Sequence, residues 1–180
     1  MHDDELWQVY ASNGQPVAGL GASRQSFEDD PSLLMGNAHV WIWRLVDGEY
    51  ELLLQKRSLT RKLYPGMYHI SVAGHINVNE SPVDAAVREA NEEMSIRIEA
   101  TDLRFVRASW GGIHKESLNT VYIYEHNDAD NFQYIDGEVE SVKWVRLSEF
   151  SKMIEDPESF GLVPRSRAYF DDVIAAVASE

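Results

Sequence analysis

The chain has 180 residues, of which 44% are apolar, and this length and composition suit one folded domain with an ordinary hydrophobic core. Its formal charge of −14 disfavours binding to a nucleic acid polymer or an anionic membrane, and no run approaches the ~18 apolar residues of a membrane span. The absence of cysteine excludes disulfides and thiolate chemistry, and the acidic start lacks the pattern of a secretory leader, so we expect a cytoplasmic protein.

The first half of the chain is predicted to consist mainly of strands. Two short strands flank Asn13-Gly14 in ELWQVYASNGQPVAGLG, which is a strong hairpin signal, and a polar, acidic loop is predicted near SFEDDPS. Two longer strands flank Asp47-Gly48 in HVWIWRLVDGEYELLLQKRS. The loop LTRKLYPGMY then leads into a short strand, HISVAG.

The second half opens with a helix, predicted over Pro82–Met94. Ser81 is a suitable N-cap, Pro82 suits the first helical position, and Asp84 complements the positive end of the helix dipole. The apolar residues recur with helical spacing and form one stripe that should face the sheet: Val83, Ala86, Val87, Ala90 and Met94.

The remaining elements are three strands and two helices. The strands are predicted near Leu103–Ser109, Thr120–Tyr124 and Val142–Val145. One helix is predicted to begin at Ser148, as its N-cap, and another to cover Ser166–Ala178. Strands and helices do not alternate regularly, so the predicted class is α+β, or a mixed α/β sandwich, with helices packed on a mixed sheet.

Three carboxylates, Glu89, Glu92 and Glu93, lie within about one turn of the central helix. Each like-charge pair at this spacing costs ~0.2–0.5 kcal/mol. One interpretation is a solvated helix face. The other is a site for Mg²⁺ or Mn²⁺, because hard divalent cations prefer several oxygen ligands. An acidic protein that handles an anionic substrate needs a local cation, and a bound metal would supply it.

The spacing of the charged residues favours the metal site. Gly74 is followed by five residues, Glu80, seven residues, Arg88-Glu89, and then Glu92-Glu93 and Ser95. This pattern resembles the Nudix box of the Nudix hydrolase superfamily, with Ser95 where the family usually has Gly. The resemblance implies an α/β/α sandwich with a mixed sheet. It also implies a single domain over 1–180, with a hairpin extension over 1–36, a core over 37–150 and a C-terminal helical segment over 151–180.

The resemblance also implies roles for the residues of the box. Glu92 and Glu93 would be the main ligands of Mg²⁺ or Mn²⁺, and Glu89 would be a further ligand or the base for the attacking water. Arg88 would orient Glu89. The catalytic residues would be Arg88, Glu89 and Glu93. The carbonyl of Gly74 would complete the metal sphere. Glu80 would support the loop before the helix. Glu138 would reach the metal from a later loop, with Glu140 as an alternative to Glu138.

The likeness extends to an isomerase-like branch of the superfamily. VWIWRLVDGEYELLLQKRS, YPGMYHISVAGH and VESVKWVRLSEF resemble isopentenyl-diphosphate isomerases and the hydrolases near them. The isomerases have a cysteine where this chain has Ala73, and a metal-binding histidine where it has Met35, whereas His75 matches. We therefore expect hydrolysis of a diphosphate linkage, with an isomerase or a non-catalytic ligand sensor as alternatives.

The predicted partner is a small-molecule diphosphate, a nucleoside diphosphate derivative or another organic diphosphate. Lys56 and Arg57 are candidates for a phosphate clamp, with plain surface solvation as the alternative, and Arg61 and Lys62 fit plain surface better. His75 and Tyr68 are the further candidates for contact with the substrate, although aromatic residues more often belong to a core. A homodimer would be in keeping with the family.

Overall fold

The computed structural model describes residues 5–112, 116–127, 130–134 and 137–180, so the first four residues of the acidic start lie outside it. Within these residues, nine strands belong to one sheet: β1 (Trp7–Tyr10), β2 (Pro16–Ala22), β3 (Leu34–Val46), β4 (Glu49–Arg57), β5 (Tyr68–His69), β6 (Val72–His75), β7 (Arg104–Gly111), β8 (Ser117–Glu125) and β9 (Val139–Arg146). The helices are α1 (Arg24–Asp29), α2 (Pro82–Met94), α3 (Leu147–Glu155), α4 (Pro157–Phe160) and α5 (Arg167–Val177), with a 3₁₀ turn at Ala100–Asp102.

Strand β3 is the centre of the sheet. It pairs antiparallel with β1, β4 and β6 and parallel with β8. The outer strands add to these: β2 pairs with β1, β7 with β8, and both β5 and β9 with β4. The sheet is therefore mixed, as predicted, and the N-terminal hairpin is part of it.

Strands β3 and β4 separate beyond their turn, and the segment β5–β6 fills the space between them. The two strands pair from their turn only as far as Trp43 and Leu52, after which β6 pairs with β3 and β5 pairs with β4. Ser71 joins the two sides, because its hydroxyl donates to the Leu53 carbonyl and accepts from Ile42 N at 2.9 Å. This insertion brings the end of β6 against α2.

The sheet is covered by helices on both faces. Helix α2 buries Ala86, Ala90 and Met94 against one face, in a cluster that includes alternate residues of β3, such as Val40 and Ile42. Helices α3 and α5 cover the other face, where the main buried aromatic residues are Trp41, Phe150, Tyr169 and Phe170. Successive strand residues point to opposite faces, so β3 contributes to both cores.

Most of the predicted elements are confirmed. Both hairpins turn where expected, with Gly14 and Asp47-Gly48 at positive φ. Helix α2 covers the predicted residues, and α5 has Ser166 as its N-cap, whose hydroxyl accepts from Tyr169 N. The strands predicted near 103–109, 120–124 and 142–145 are present and are longer than predicted. Within the described residues, no helix is both long and apolar enough to cross a membrane.

The loop predicted near SFEDDPS is wrong in part, because residues Arg24–Asp29 form α1. Ser23 caps this helix by accepting from Ser26 N, and Phe27 is its buried residue. Phe27 packs with Trp7, Val9 and Met35 in a small cluster under the hairpin. A helix of six residues with one buried side chain shows no helical period, so its sequence resembles a polar loop.

Two other predictions need correction. Helix α3 begins at Leu147 with Arg146 as its N-cap and no side-chain hydrogen bond to the cap, so Ser148 lies inside the helix. The predicted strand HISVAG is two strands, since the chain breaks at Ile70 and Ser71 where it passes between β3 and β4. An alternating apolar pattern does not reveal such a break, because it records burial and not the partner strand.

Candidate functional site

Helix α2 positions the acidic residues of the site. Its first turn is fixed by Ser81, whose hydroxyl accepts from Asp84 N at 3.3 Å and donates to the Asp84 carboxylate at 2.6 Å. The last turn ends at Ser95, which adopts a left-handed conformation with φ 56°. The chain thus holds a non-glycine residue where the C-terminal end of the helix favours glycine. The helix keeps its expected length, so Ser95 does not displace the acidic residues.

Glu89 lies directly against the backbone of Gly74. A Cβ atom added to Gly74 would lie 1.8 Å from Glu89 Cδ and 2.0 Å from its Oε1, which is far inside van der Waals contact. Gly74 has no positive φ, so the need for glycine here comes from this close approach and not from backbone strain. The missing side chain of residue 74 therefore provides the space that the Glu89 carboxylate occupies.

Arg88 joins the acidic residues to the loop before the helix. Its Nη1 donates to Glu89 Oε1 at 2.7 Å and to Glu92 Oε2 at 3.0 Å. Its Nε and Nη2 bind both oxygens of Glu80 at 2.8 and 3.0 Å, and Nη2 also donates to the His75 carbonyl at 2.8 Å. Arg88 therefore holds three carboxylates and one strand end together, which is the position from which it can orient Glu89.

The pKa of Glu89 is raised to about 7. Burial is the main cause, because it disfavours the charged form, and the nearby charge of Glu92 acts in the same direction while Arg88 lowers the value. A carboxylate with a pKa near neutrality can exchange a proton with water at physiological pH.

Glu92 and Glu93 have different environments although they are adjacent. The side chain of Glu92 is 48% exposed and its contact is the ion pair with Arg88. Glu93 is 5% exposed, and its Oε2 accepts from Ala73 N at 3.1 Å and from Gln55 Nε2 at 3.4 Å. Glu93 thus ties the helix to the strand segment that precedes Gly74.

The donor set fits a hard divalent cation. Glu89, Glu92, Glu93 and the Gly74 carbonyl supply only oxygen atoms, and the space at Gly74 admits a carboxylate that a side chain would exclude. Within the described residues, no three acidic or histidine side chains are already arranged as a metal cage. Glu89 and Glu92 bind Arg88, whereas Glu93 binds Ala73 N and Gln55.

The two residues of the predicted phosphate clamp, Lys56 and Arg57, have separate partners. Lys56 Nζ forms an ion pair with Glu140 at 2.9 Å on the surface. Arg57 Nε donates to the Leu63 carbonyl at 3.0 Å, and the charges of Glu93 and Glu138 act on Arg57. Of the two acidic candidates after β8, Glu138 is the one whose charge acts on Arg57 together with that of Glu93.

Arg61 is less peripheral than the sequence indicates. Its Nη1 forms an ion pair with Glu138, and its charge adds to the desolvation that lowers the pKa values of the buried His69 and the partly buried His75. The interpretation of Arg61 as plain surface is therefore wrong. Glu138, in turn, binds an arginine of the loop that precedes the box.

Tyr68 and His75 do not share the face of the helix carboxylates. Tyr68 packs against the core under α3 and α5, with Lys143 Nζ 5.9 Å from its ring centroid. His75 Nδ1 donates to Asn37 Oδ1 at 2.7 Å, and its ring lies 3.7 Å from that of Trp7. Gly74 faces α2, and neighbouring strand residues point the other way, so the structure does not bring these two side chains together with Glu89.

The structure places three further residues near the site, none of them among the predicted site residues: Gln55, His69 and Arg165. Gln55 binds Glu93, and His69 is its cross-strand partner. Arg165 Nη2 lies 3.2 Å from His69 Nε2. The signal in the sequence was weak, since Gln55 continues an apolar strand and Arg165 lies 70 residues after Ser95, the end of the box.

Comparison with known proteins decides the family. The model of the NUDIX domain matches residues 35–165, which is most of the chain. The chain belongs to the Nudix family. It is 32% identical over 168 residues to Nudix hydrolase 3 of Arabidopsis thaliana, covering 86% of this chain and 21% of that protein. It is 29% identical over 110 residues to an isopentenyl-diphosphate Delta-isomerase of Shigella boydii serotype 4, covering 58% of this chain and 59% of the isomerase.

The relatives therefore include proteins named for two different reactions, a hydrolase and an isomerase. The Nudix chain described here spans about a fifth of the Arabidopsis hydrolase and about three fifths of the isomerase. Family membership supports hydrolase chemistry in general.

Solved structures confirm the Nudix fold. DR0079 from Deinococcus radiodurans aligns with a TM-score of 0.67 at 17% identity, over 96% of this chain and 99% of that one. An Ap4A hydrolase of C. elegans aligns with a TM-score of 0.61 at 20% identity, over 82% and 100%. The Nudix domain of Shewanella oneidensis NrtR, solved with ADP ribose, gives 0.60 at 14% identity, over 88% and 100%. These similarities support the predicted α+β sandwich with a mixed sheet.

Proposed function

We propose that this Nudix protein is a Mg²⁺- or Mn²⁺-dependent hydrolase that cleaves a diphosphate linkage in a small organic molecule. The observation that carries the proposal is the position of Glu89, which occupies the side-chain space of Gly74 beside Glu92 and Glu93. A solvated acidic face would not need a buried carboxylate pressed against a strand. The substrate class is a nucleoside diphosphate derivative or another organic diphosphate.

The residues of α2 would share the work of such a reaction. A cation held by Glu92, Glu93, Glu89 and the Gly74 carbonyl would neutralise the diphosphate and lower the pKa of the attacking water. Glu89 would act either as a ligand of that cation or, where it is not a ligand, as the base that accepts the proton of the water, a role favoured by the burial that raises the pKa of its carboxyl. Arg88 would keep Glu89 in place through the hydrogen bond between Nη1 and Oε1.

Glu93 would fix the geometry between helix and strand. Its contact with Ala73 N ties the metal-binding turn of α2 to the backbone that carries Gly74. Because these groups are already positioned, less conformational entropy is lost when the substrate binds.

Isomerisation of an isoprenoid diphosphate is the second candidate, because part of the chain is 29% identical to an isomerase. Two features disfavour it. Ala73 has no group that could act on a substrate carbon, and Met35 is buried with Trp7, Val9 and Phe27 in an apolar cluster. The hydrolase therefore remains the preferred function, and the assay below includes isopentenyl diphosphate as a test of the alternative.

A panel of organic diphosphates, with and without Mg²⁺, tests the proposal by the release of phosphate or of monophosphates. We expect metal-dependent release from at least one compound and a loss of ~100-fold or more in Glu93→Gln, because this change removes a charged oxygen ligand. Glu155→Gln is the matched control, as Glu155 is an exposed glutamate at the end of α3. Equal rates in Glu93→Gln and the unaltered protein would contradict the proposed site.

Two other outcomes of this assay would each favour a different function. Conversion of isopentenyl diphosphate to its isomer without release of phosphate would favour the isomerase. Tight binding of one compound with no turnover of any would favour a ligand sensor. Both outcomes would overturn the hydrolase.

A further inference from the structure

The side chain of Gln8 links the N-terminal hairpin to the loop that precedes α2. Gln8 is in β1 and is 2% exposed. Its Oε1 accepts from Asn79 N at 3.1 Å, and its Nε2 faces the carbonyl oxygens of Val9, Val17 and Leu20 at 2.8 to 3.2 Å. The opposite orientation would set the NH₂ group against an N–H and the oxygen against carbonyls, so these partners fix the orientation of the amide.

The backbone contact between β1 and this loop ends at Val78. Gln8 N donates to the Ile76 carbonyl at 2.8 Å, and Val78 N donates to the Leu6 carbonyl at 2.9 Å. Strand β2 lies against the same stretch, since a Cβ added to Gly21 would be 3.0 Å from Val78 Cβ. The Gln8 side chain therefore extends the attachment of the hairpin by one residue, into a turn.

Residues 77–80 form this turn, which we call the box turn. Asn79, whose N–H Gln8 binds, has φ 65° and so adopts the left-handed conformation, which asparagine tolerates better than most residues. Glu80 N donates to the Asn77 carbonyl at 3.0 Å, and Asn77 N donates to Glu80 Oε2 at 2.9 Å. The box turn therefore fixes both the backbone and the carboxylate of Glu80.

Glu80 connects the box turn to the acidic helix through Arg88. Both oxygens of Glu80 accept from Arg88, at 2.8 and 3.0 Å, and Arg88 in turn binds Glu89 and Glu92. The side chains of Arg88 and Glu80 are only 23% and 16% exposed, so this pair is better shielded from solvent than an ordinary surface ion pair. Hydrogen bonds thus run from the Gln8 amide to the carboxylates of α2.

We propose that Gln8 is a positioning residue of the metal site, which acts through the box turn and Glu80 on Arg88 and thereby on Glu89. The inference rests on the proposed function for the metal, and it adds the N-terminal hairpin to the site. Loss of the Gln8 amide would leave the Asn79 N–H and buried carbonyls of β2 without this partner, so the box turn would be released. Residues that support metal ligands from outside the ligand set change metal affinity about 10–100-fold when they are replaced.

Binding of Mn²⁺, followed by the loss of the EPR signal of the free ion, tests the proposal without any substrate. Gln8→Met retains the length of the side chain but has no amide, and it should weaken Mn²⁺ binding about 10-fold. Val9→Ala is the matched control, because the buried Val9 packs with Phe27 and Met35 and its loss loosens the same hairpin while the Gln8 contacts stay. Unchanged affinity in Gln8→Met would overturn the proposal, as would an equal loss in Val9→Ala.

A double variant separates transmission through Glu80 from a general loosening of the fold. Glu80→Gln removes the charge that holds Arg88 and should itself weaken Mn²⁺ binding about 10-fold. If Gln8 acts through Glu80, the addition of Gln8→Met to Glu80→Gln should weaken binding little further, because both changes interrupt one path. Multiplied losses in the double variant would mean two independent effects and would contradict the proposal.

NMR of the metal-free protein reads the contacts themselves, and the unaltered chain suffices for the first reading even if Gln8→Met does not fold. The Asn79 amide should exchange slowly with solvent although Asn79 is exposed, because Gln8 holds its hydrogen. In Gln8→Met this exchange should become faster and the Arg88 Nε–H signal should shift. Rapid exchange of the Asn79 amide in the unaltered protein, or an Arg88 signal that does not move in the variant, would overturn the proposal.

The metal titration also distinguishes failure of this inference from failure of the hydrolase. Mn²⁺ binding that is the same with and without the Gln8 amide would remove the role of Gln8 and leave the hydrolase standing. An unaltered protein that binds no Mn²⁺ would overturn the metal-dependent function, and with it the role of Gln8 in the metal site.

Discussion

The position of Glu89 depends on Gly74 having no Cβ atom. The carboxylate lies where the Cβ of residue 74 would be, and Arg88 holds it there from the other side. Burial in this space raises the pKa of Glu89 to about 7, so the same contact that places the group also adjusts its acidity. The geometry and the proton affinity of this carboxylate therefore depend on one glycine.

Gly74→Ala tests this dependence. The new methyl group would need space that Glu89 Cδ occupies at 1.8 Å, so the carboxylate must move away from the strand. A displacement of ~1 Å in a reacting group can lower kcat about 100-fold, and we expect a loss of this order in the hydrolysis assay.

The control for Gly74→Ala is Gly111→Ala. Gly111 is in β7 and a Cβ there would meet no atom of the described residues within 4 Å, so this variant should retain full activity. Circular dichroism and thermal unfolding would show that both variants are folded. A folded Gly74→Ala protein with unchanged kcat would contradict the role given to the Gly74–Glu89 contact.

At the scale of elements, helix α2 was predictable, whereas the way in which the strands beneath it pair was not. Its N-cap, its apolar stripe and its charged spacing are all local, and the structure reproduces its bounds. The passage of β5–β6 between β3 and β4 depends on Ser71 bridging two distant strands, which no local pattern records. The hydrogen bond from Ala73 N to Glu93 depends on that passage, so it could not be predicted from the sequence either.

The C-terminal end of α2 is a place where one element is strained. Ser95 has φ 56° and ψ 27°, a left-handed conformation that costs an L-residue ~1–2 kcal/mol relative to the right-handed one. Ser95→Gly removes this cost but increases the entropy of the unfolded chain, which offsets ~0.5–1 kcal/mol. We expect a net stabilisation of ~0.5–1 kcal/mol in urea unfolding.

Ser95→Ala separates the backbone effect from the loss of the hydroxyl group. Alanine retains the strain, so this variant should be no more stable than the unaltered protein. If Ser95→Gly and Ser95→Ala have the same free energy of unfolding, the left-handed conformation does not limit the stability of α2.

At the scale of the whole molecule, three arginines come together in a strongly acidic chain. The net charge is −14, yet the charges of Arg57, Arg61 and Arg165 all act on the buried His69. Arg57 and Arg61 were visible as neighbours in the sequence, whereas Arg165 joins them only because the chain after α4 returns to β5, where Val163 N donates to the Tyr68 carbonyl. The acidic residues of the candidate site could thus be predicted from local spacing, whereas the meeting of these arginines required the fold.

Three histidines of the interior have a lowered pKa: His39 and His69, which are buried, and His75, which is partly buried. His39 is 1% exposed and its Nδ1 lies 3.0 Å from Tyr169 Oη. Trp41 Nε1 donates to the same oxygen at 3.0 Å, so the tyrosine hydroxyl still has its own proton to donate to a neutral His39. Burial is the main cause that opposes a charge on His39, and the charges of Arg165, His69 and His75 act in the same direction.

This buried neutral histidine predicts a loss of stability in acid. The pKa of His39 is well below 6.5 in the folded protein and about 6.5 when unfolded, so below pH ~6.5 the unfolded chain binds more protons. Stability from His39 is therefore complete above pH ~6.5 and falls by up to ~1.4 kcal/mol per pH unit below it. Protonation of surface carboxylates acts in the opposite direction by reducing the net charge, so the pH profile of the unaltered protein alone does not isolate the histidine.

His39→Gln isolates it, because glutamine can still accept from Tyr169 Oη but does not titrate. We expect the free energy of unfolding in urea to fall less between pH 7.5 and pH 5.5 in this variant, by ~1–2 kcal/mol. NMR of the unaltered protein should show a neutral His39 ring throughout this range. A histidine signal that titrates near pH 6.5 would contradict the prediction, as would equal pH dependence of the two proteins, since either would mean that the folded core accommodates the charge.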